Sequence, residues 1–229
     1  PLYSHPAQLQ DNRDCVLCMT CLKACPHRSV EFNLRPPGIE LWTTHVPRSY
    51  EVALLWLLLD AVFLHYLPEL QNRFNLELNL EDFWTHLWLS IAVLSLPAIA
   101  PFLGHFLIKL IYKITPTIKS RSFVELSYGY LPLVLAANLA YYLHLGLSEA
   151  GQIIPLTFAT FGLKIANAPV LIAHPAVIVF LQGTVLILGA ILSILLTQKI
   201  ARQAFKILIP QHLTILFLGF ALWNIIISR

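Results

Sequence analysis

Charge is what this sequence has least of. Asp, Glu, Lys and Arg make up 12% of its 229 residues, against about 25% in an ordinary soluble domain. Mean hydropathy is +0.70 and 57% of the residues are hydrophobic. Those figures exclude a soluble globular enzyme and a disordered chain. Cysteine is scarce as well. The four cysteines all fall within residues 15–25, which excludes a secreted disulfide scaffold. There is no G-x-G-x-x-G, no Walker loop, no H-E-x-x-H and no C-x-x-C-H. Dinucleotide-fold, P-loop, zincin and c-type haem chemistries therefore have no residues to carry them. A formal net charge of +3 is too small to point to nucleic acid. What remains is an integral membrane protein. The chain opens on Pro1 with no signal-peptide pattern in the residues that follow, so a longer or processed precursor is expected.

The sequence divides into a polar head, residues 1–49, and an apolar body, residues 50–229. A bilayer crossing needs about 20 mostly apolar residues. Runs at 50–67, 83–112, 124–148, 174–198 and 211–228 meet that need. Lipid offers the backbone no hydrogen-bond partners, so each must be a helix. The predicted fold class is an all-α membrane protein of about five transmembrane helices, preceded by a small ferredoxin-like segment. Pro97 and Pro101 predict a kink in the second span.

Residues 151–173 are apolar but interrupted by Pro155, Gly162, Lys164, Asn167 and Pro169. Charge decides how to read them, because Lys and Arg gather on the cytoplasmic side. With five spans, twelve of the 15 basic residues fall on the side of the head. Only Arg73, Lys164 and Arg229 fall on the other. A sixth span would move Lys199, Arg202 and Lys206 to the wrong side. Residues 151–173 are therefore read as interfacial or re-entrant, and the head as facing the cytoplasm or the equivalent stroma or matrix.

The head carries the chemistry. Cys15, Cys18, Cys21 and Cys25, followed by Pro26, form C-x2-C-x2-C-x3-C-P, the bacterial ferredoxin signature for a 4Fe–4S cluster. Thiolates are soft ligands that suit iron, and two-residue gaps let a tight loop reach several corners of the cluster. Zinc would show two separated C-x-x-C pairs, and a reducing compartment disfavours disulfides. In two-cluster ferredoxins the fourth cysteine of such a run serves the other cluster. Cys25 either closes one cluster locally or serves a second whose remaining ligands lie before Pro1.

The stretch CVLCMTCLKACPHRSVEFNLRPPG resembles the ferredoxin segment of the membrane-bound polyferredoxin-type proteins. These are associated with periplasmic nitrate reductase, with nitrous-oxide reductase maturation and with cytochrome oxidase assembly. The resemblance covers residues 12–38. It implies one or two 4Fe–4S clusters beside a helical bundle that moves electrons between the quinone pool or a soluble donor and a partner protein.

Ionisable groups inside spans are functional candidates by default. Asp60 sits within the first span, where a carboxylate must be paired, protonated or hydrated. It serves a quinone or proton site, or it bonds to Asn138, Gln182 or Asn224. By depth, His65, His86, His144 and His174 fall near the outer side, and His105 and His212 near the inner side. Two histidines on facing helices supply the axial ligands of a b-type haem; at span ends they also simply meet headgroups and water. Asp60, His65, His86 and His144 are the candidates for a haem or quinone pocket, with His105 and His212 as the inner alternative. His86 and His105, on one span, lie about 28 Å apart along a helix and cannot share a haem. Trp42, Trp84, Trp88 and Tyr50 are read as interfacial anchors.

The functional expectation is a membrane-anchored iron–sulfur electron-transfer protein. It would link a cytoplasmic-side donor or acceptor to quinone, haem or a partner complex. The alternative is an iron–sulfur subunit or assembly factor whose bundle is only an anchor. A transporter would need a paired repeat, and none is visible.

Overall fold

The computed structural model describes residues 18–27, 38–43, 46–75, 81–114, 121–162 and 172–227, the side chains of Glu40, Trp42, Ile114 and Ile154 excepted. Among the described residues all regular structure is helical. The chain forms two compact units, Pro1–Ile39 and Glu40–Arg229. The boundary falls ten residues earlier than the shift in polarity suggests, because Leu41 packs on the core of the second unit. In the first unit the described helix is α1, Thr20–Ala24.

The second unit is the bundle. It begins with the short α2, Glu40–Thr43, and then α3, Ser49–His65, and α4, Leu67–Arg73. α3 and α4 meet at a 60° bend, at the end of the span expected over 50–67. Pro68 explains the bend. It has no N–H to continue the α3 ladder. In the first turn of α4 that missing N–H costs nothing. Arg73 then reaches the far end of the chain, donating to the carbonyl of Asn224 at 2.8 Å and to its Oδ1 at 3.4 Å.

The second span is α5, Phe83–Val93, followed by α6, Leu96–Ile114. Asp82 caps α5, accepting from the Thr85 amide at 2.9 Å and the Thr85 hydroxyl at 2.8 Å. These bonds hold its carboxyl below the usual aspartate range. The break between α5 and α6 sits at Leu94–Ser95, just ahead of Pro97, and α6 continues through Pro101. Together they make a continuous span-length stretch, Phe83–Lys113.

The third span opens with α7, Phe123–Ser127, under a reciprocal Ser122–Glu125 capping box. A 3₁₀ turn, Tyr128–Tyr130, leads into α8, Leu131–Glu149. Pro132 lacks the N–H that would bond the Tyr128 carbonyl, which accounts for the tightened turn. α9, Ile153–Thr160, is eight residues long, about 12 Å of helix, too short for the ~30 Å hydrocarbon layer. It ends near Gly162, whose φ of 74° suits glycine. Residues 163–171, with Lys164, Asn167 and Pro169, lie outside the described residues. When the chain returns, the Ala173 amide donates to the Leu147 carbonyl at 3.1 Å.

α10, Pro175–Ala201, is the longest helix, and a 3₁₀ turn, Phe205–Leu208, joins it to α11, Ile209–Ile226. Among the described residues four stretches are long and apolar enough to cross a membrane, and the bent pair α3–α4 makes up to five.

The core lies where α3, α8, α10 and α11 meet. Leu59, Leu133, Ala137, Ala140 and Leu222 are fully buried there. Lipid is as apolar as leucine, so helices associate through close packing rather than through burial from water. Small residues permit it: a Cβ on Gly189 would collide with the Ala136 methyl and sit 3.1 Å from the Pro132 carbonyl. Leu54, Phe106, Phe180 and Phe217 point outward and exposed, as a lipid-facing surface requires. Trp84 is exposed at the start of α5 and Trp88 midway along it, and Tyr50 at the start of α3.

Candidate functional site

The cysteine segment is built by a turn and one short helix. Met19 takes a left-handed conformation, φ 60°, and reverses the chain between Cys18 and α1. Cys21 and Cys25 stand four residues apart, and the Cys25 amide donates to the Cys21 carbonyl at 3.2 Å. That spacing sets both on one helical side. Cys18 and Cys21 are exposed and Cys25 half-buried, and none of the three is in a disulfide. The Thr20 hydroxyl donates to the Cys18 sulfur at 3.3 Å. This bond favours the thiolate and lowers the Cys18 pKa from its ordinary value. Cys15 lies outside the described residues.

Among the described residues no three His, Cys, Asp or Glu side chains gather closely enough to hold a metal ion. The donor chemistry nonetheless fits iron–sulfur ligation: the described thiols are outside any disulfide, Cys18 and Cys21 are exposed, and Cys18 is biased toward the thiolate form that binds metal. Ligand loops close on their metal as it binds, because binding and local folding are one equilibrium.

Within the bundle, Asp60 is only 2% exposed and its Oδ1 has no hydrogen-bond partner. None of the three amides expected to bond it does so. Asn138 donates to the carbonyls of Val134 and Leu58, Gln182 to Ala140, and Asn224 to Phe220. Each is taken by a backbone carbonyl. Trp56 lies one turn before Asp60 on the same face of α3. It is buried, its indole N–H is likewise unpartnered, and its ring meets Tyr130 edge-on with centroids 5.0 Å apart. Sequence reading missed Trp56 here, although the i, i+4 spacing was the available signal.

The outer histidines do not converge with Asp60 into a ligand set. His65 is exposed and stacks on Tyr141, with centroids 4.6 Å apart. His86 is exposed and pairs with Ser90 at 3.3 Å. His144 is half-buried on α8, and its carbonyl accepts from the Ser148 hydroxyl.

The inner histidines are the buried ones. His105 is 7% and His212 4% exposed, and their four ring nitrogens have no partners. His105 rests against Phe123 and His212 against Phe205. They do not face each other. Gly104 packs against Pro210 and Thr214, and at 100° per residue His212 lies on the opposite side of α11. The close approach at Gly104 also leaves no room for a macrocycle between α6 and α11.

Fold and side chains together define a helical integral membrane protein with a small cysteine-bearing segment ahead of its bundle. No protein-family model, no curated protein and no solved structure matches the chain.

Proposed function

We propose that the chain is a membrane-anchored iron–sulfur electron-transfer protein of the polyferredoxin type, with its cysteine segment on the cytoplasmic side. The observation that carries this reading is the spacing of Cys15, Cys18, Cys21 and Cys25 ahead of Pro26. Those four thiolates would hold a 4Fe–4S cluster, which supplies one-electron chemistry when bound. Thr20 holds the Cys18 sulfur, and such hydrogen bonds tune a cluster's potential.

The membrane acceptor is a quinone, with Asp60 and Trp56 as its docking groups. The indole N–H donates to a quinone carbonyl, and the carboxyl exchanges a proton with the corresponding hydroxyl. Asp60 stands eleven residues after Ser49, about 17 Å along the helix, well inside the span. The sidedness rests on the basic residues, twelve of which share one side of the five-span arrangement.

Iron and acid-labile sulfide analysis, with EPR of the reduced protein, tests the cluster. Zinc in place of iron overturns the proposal. Reversible reduction by quinol is expected. A cluster inert to quinol would assign the chain to the other class, an assembly factor with the bundle as anchor.

A further inference from the structure

Tyr130 ends the 3₁₀ turn that leads into α8 and is 1% exposed. Two contacts fix it. Its ring meets the Trp56 indole edge-on, with centroids 5.0 Å apart and planes at 62°. Its hydroxyl is hydrogen-bonded to the Thr214 hydroxyl on α11. The direction of that bond follows from the next one. Thr214 donates its proton to the Gln211 carbonyl at 2.8 Å, so Tyr130 donates and Thr214 accepts. Gln211 is held in turn, its side-chain amide donating to the Leu126 carbonyl at 2.8 Å.

Close backbone packing restrains both hydroxyl residues. A Cβ on Gly104 would lie 2.9 Å from the Thr214 methyl and 3.2 Å from its hydroxyl oxygen, so α6 presses directly on that side chain. A Cβ on Gly129 would collide with Thr197, so the turn that carries Tyr130 is pressed onto α10. Side chains packed this closely keep one rotamer. The hydroxyl chain leaves Tyr130 no proton to offer a ligand. The Trp56 N–H, by contrast, has no partner, and it is the one donor an indole has.

We propose that Tyr130, held by Thr214, is a positioning residue that sets the plane of the Trp56 indole for its hydrogen bond to the quinone carbonyl. The inference rests on the quinone reading above and extends that site from α3 to the turn before α8 and to α11. Tyr130 acts through Trp56 rather than on the quinone. Edge-to-face contact fixes the relative orientation of two rings, and a hydrogen bond weakens steeply as its angle closes. A tilted indole therefore binds quinol less well.

The test uses the full, cluster-loaded chain in detergent, with decylubiquinol as reductant and cluster reduction followed optically. Tyr130→Phe and Thr214→Val keep the side-chain shape and remove the bond between them. Each is expected to raise the apparent KM for the quinol about two- to tenfold, the net contribution of one neutral hydrogen bond, with kcat little changed. The double variant should be no worse than either single one, since both remove the same interaction. Thr214→Ser restores the hydroxyl and with it the parental KM. In protein labelled with 5-fluorotryptophan, the ¹⁹F resonance assigned to Trp56 by Trp56→Phe should shift in Tyr130→Phe, which reads the indole's placement without quinol. A Trp56→Phe variant with parental KM overturns the quinone reading, and this inference with it. Raised KM in Trp56→Phe alone, no rescue by Thr214→Ser, or an unmoved ¹⁹F resonance overturns the positioning role and leaves the quinone reading standing.

Discussion

The amide of Ala173 donates to the carbonyl of Leu147 across 3.1 Å. The chain therefore comes back, after residues 148–172, to the level at which it left α8. A segment that crossed the bilayer would end some 30 Å away. The intervening stretch begins and ends on one face, and α8 and α10 form an antiparallel pair with this excursion as their connection.

Labelling checks this directly. In a background with the native cysteines replaced by serine, Glu149→Cys and Ile172→Cys should react with an impermeant maleimide from the same side. Ala204→Cys should react from the opposite side. Reaction of the 149 and 172 positions from opposite sides would establish a sixth crossing.

The α8–α10 contact should not tolerate a methyl. Gly189→Ala is expected to destabilise the bundle by about 1–3 kcal/mol, the range for overpacking a tight core, since the new Cβ meets Ala136 and the Pro132 carbonyl. Gly146→Ala is the control, because nothing lies within 4 Å of the position its Cβ would take. Unfolding in mixed detergent micelles measures both.

Asp60 should show stability and function pulling apart. Its unpartnered Oδ1 is buried, and an unsatisfied buried group costs about 1–3 kcal/mol. Asp60→Leu is expected to raise resistance to unfolding by a similar amount while abolishing quinol-linked reduction. Loss of stability with turnover intact would make the carboxyl structural.

Asp82 predicts a pH dependence. Its pKa in the folded chain is lowered by the Thr85 bonds, so its contribution is complete above the unfolded value of 3.8. It is lost as pH falls through the lower folded value. Amide exchange at Thr85 should be faster in Asp82→Ala than in the parent protein at pH 7. The two should converge in strong acid.

Thr20 predicts a shift in potential. Thr20→Val removes the hydroxyl bond to the Cys18 sulfur, and a less stabilised reduced cluster should titrate tens of mV lower, on a scale where 59 mV is about tenfold for one electron. Spectroscopic redox titration of the reconstituted protein reads it.

Hydropathy made the spans legible, since a run such as Pro175–Ala201 has no alternative in lipid. The breaks were half legible. Pro97 marked the interruption at Leu94–Ser95, but the 60° bend at Tyr66 hinges on Pro68, at the edge of what looked like one span. The polar pairings inside the bundle were not legible. Composition put Asn138, Gln182 and Asn224 within membrane depth of Asp60. Nothing in it could say that each amide takes a carbonyl on its own or a neighbouring helix. Likewise His105 and His212 share a depth but sit on different sides of α11. That difference depends on which face Gly104 presses.

The clasp of Arg73 on Asn224 joins residues 151 positions apart. At a synthesis rate of about 5–20 residues per second, Asn224 emerges roughly 8–30 s after Arg73. The guanidinium must wait that long for the carbonyl it will hold. The bundle therefore latches at its far end only after the last helix is delivered, and α4 spends its early life with its closing partner still in the ribosome.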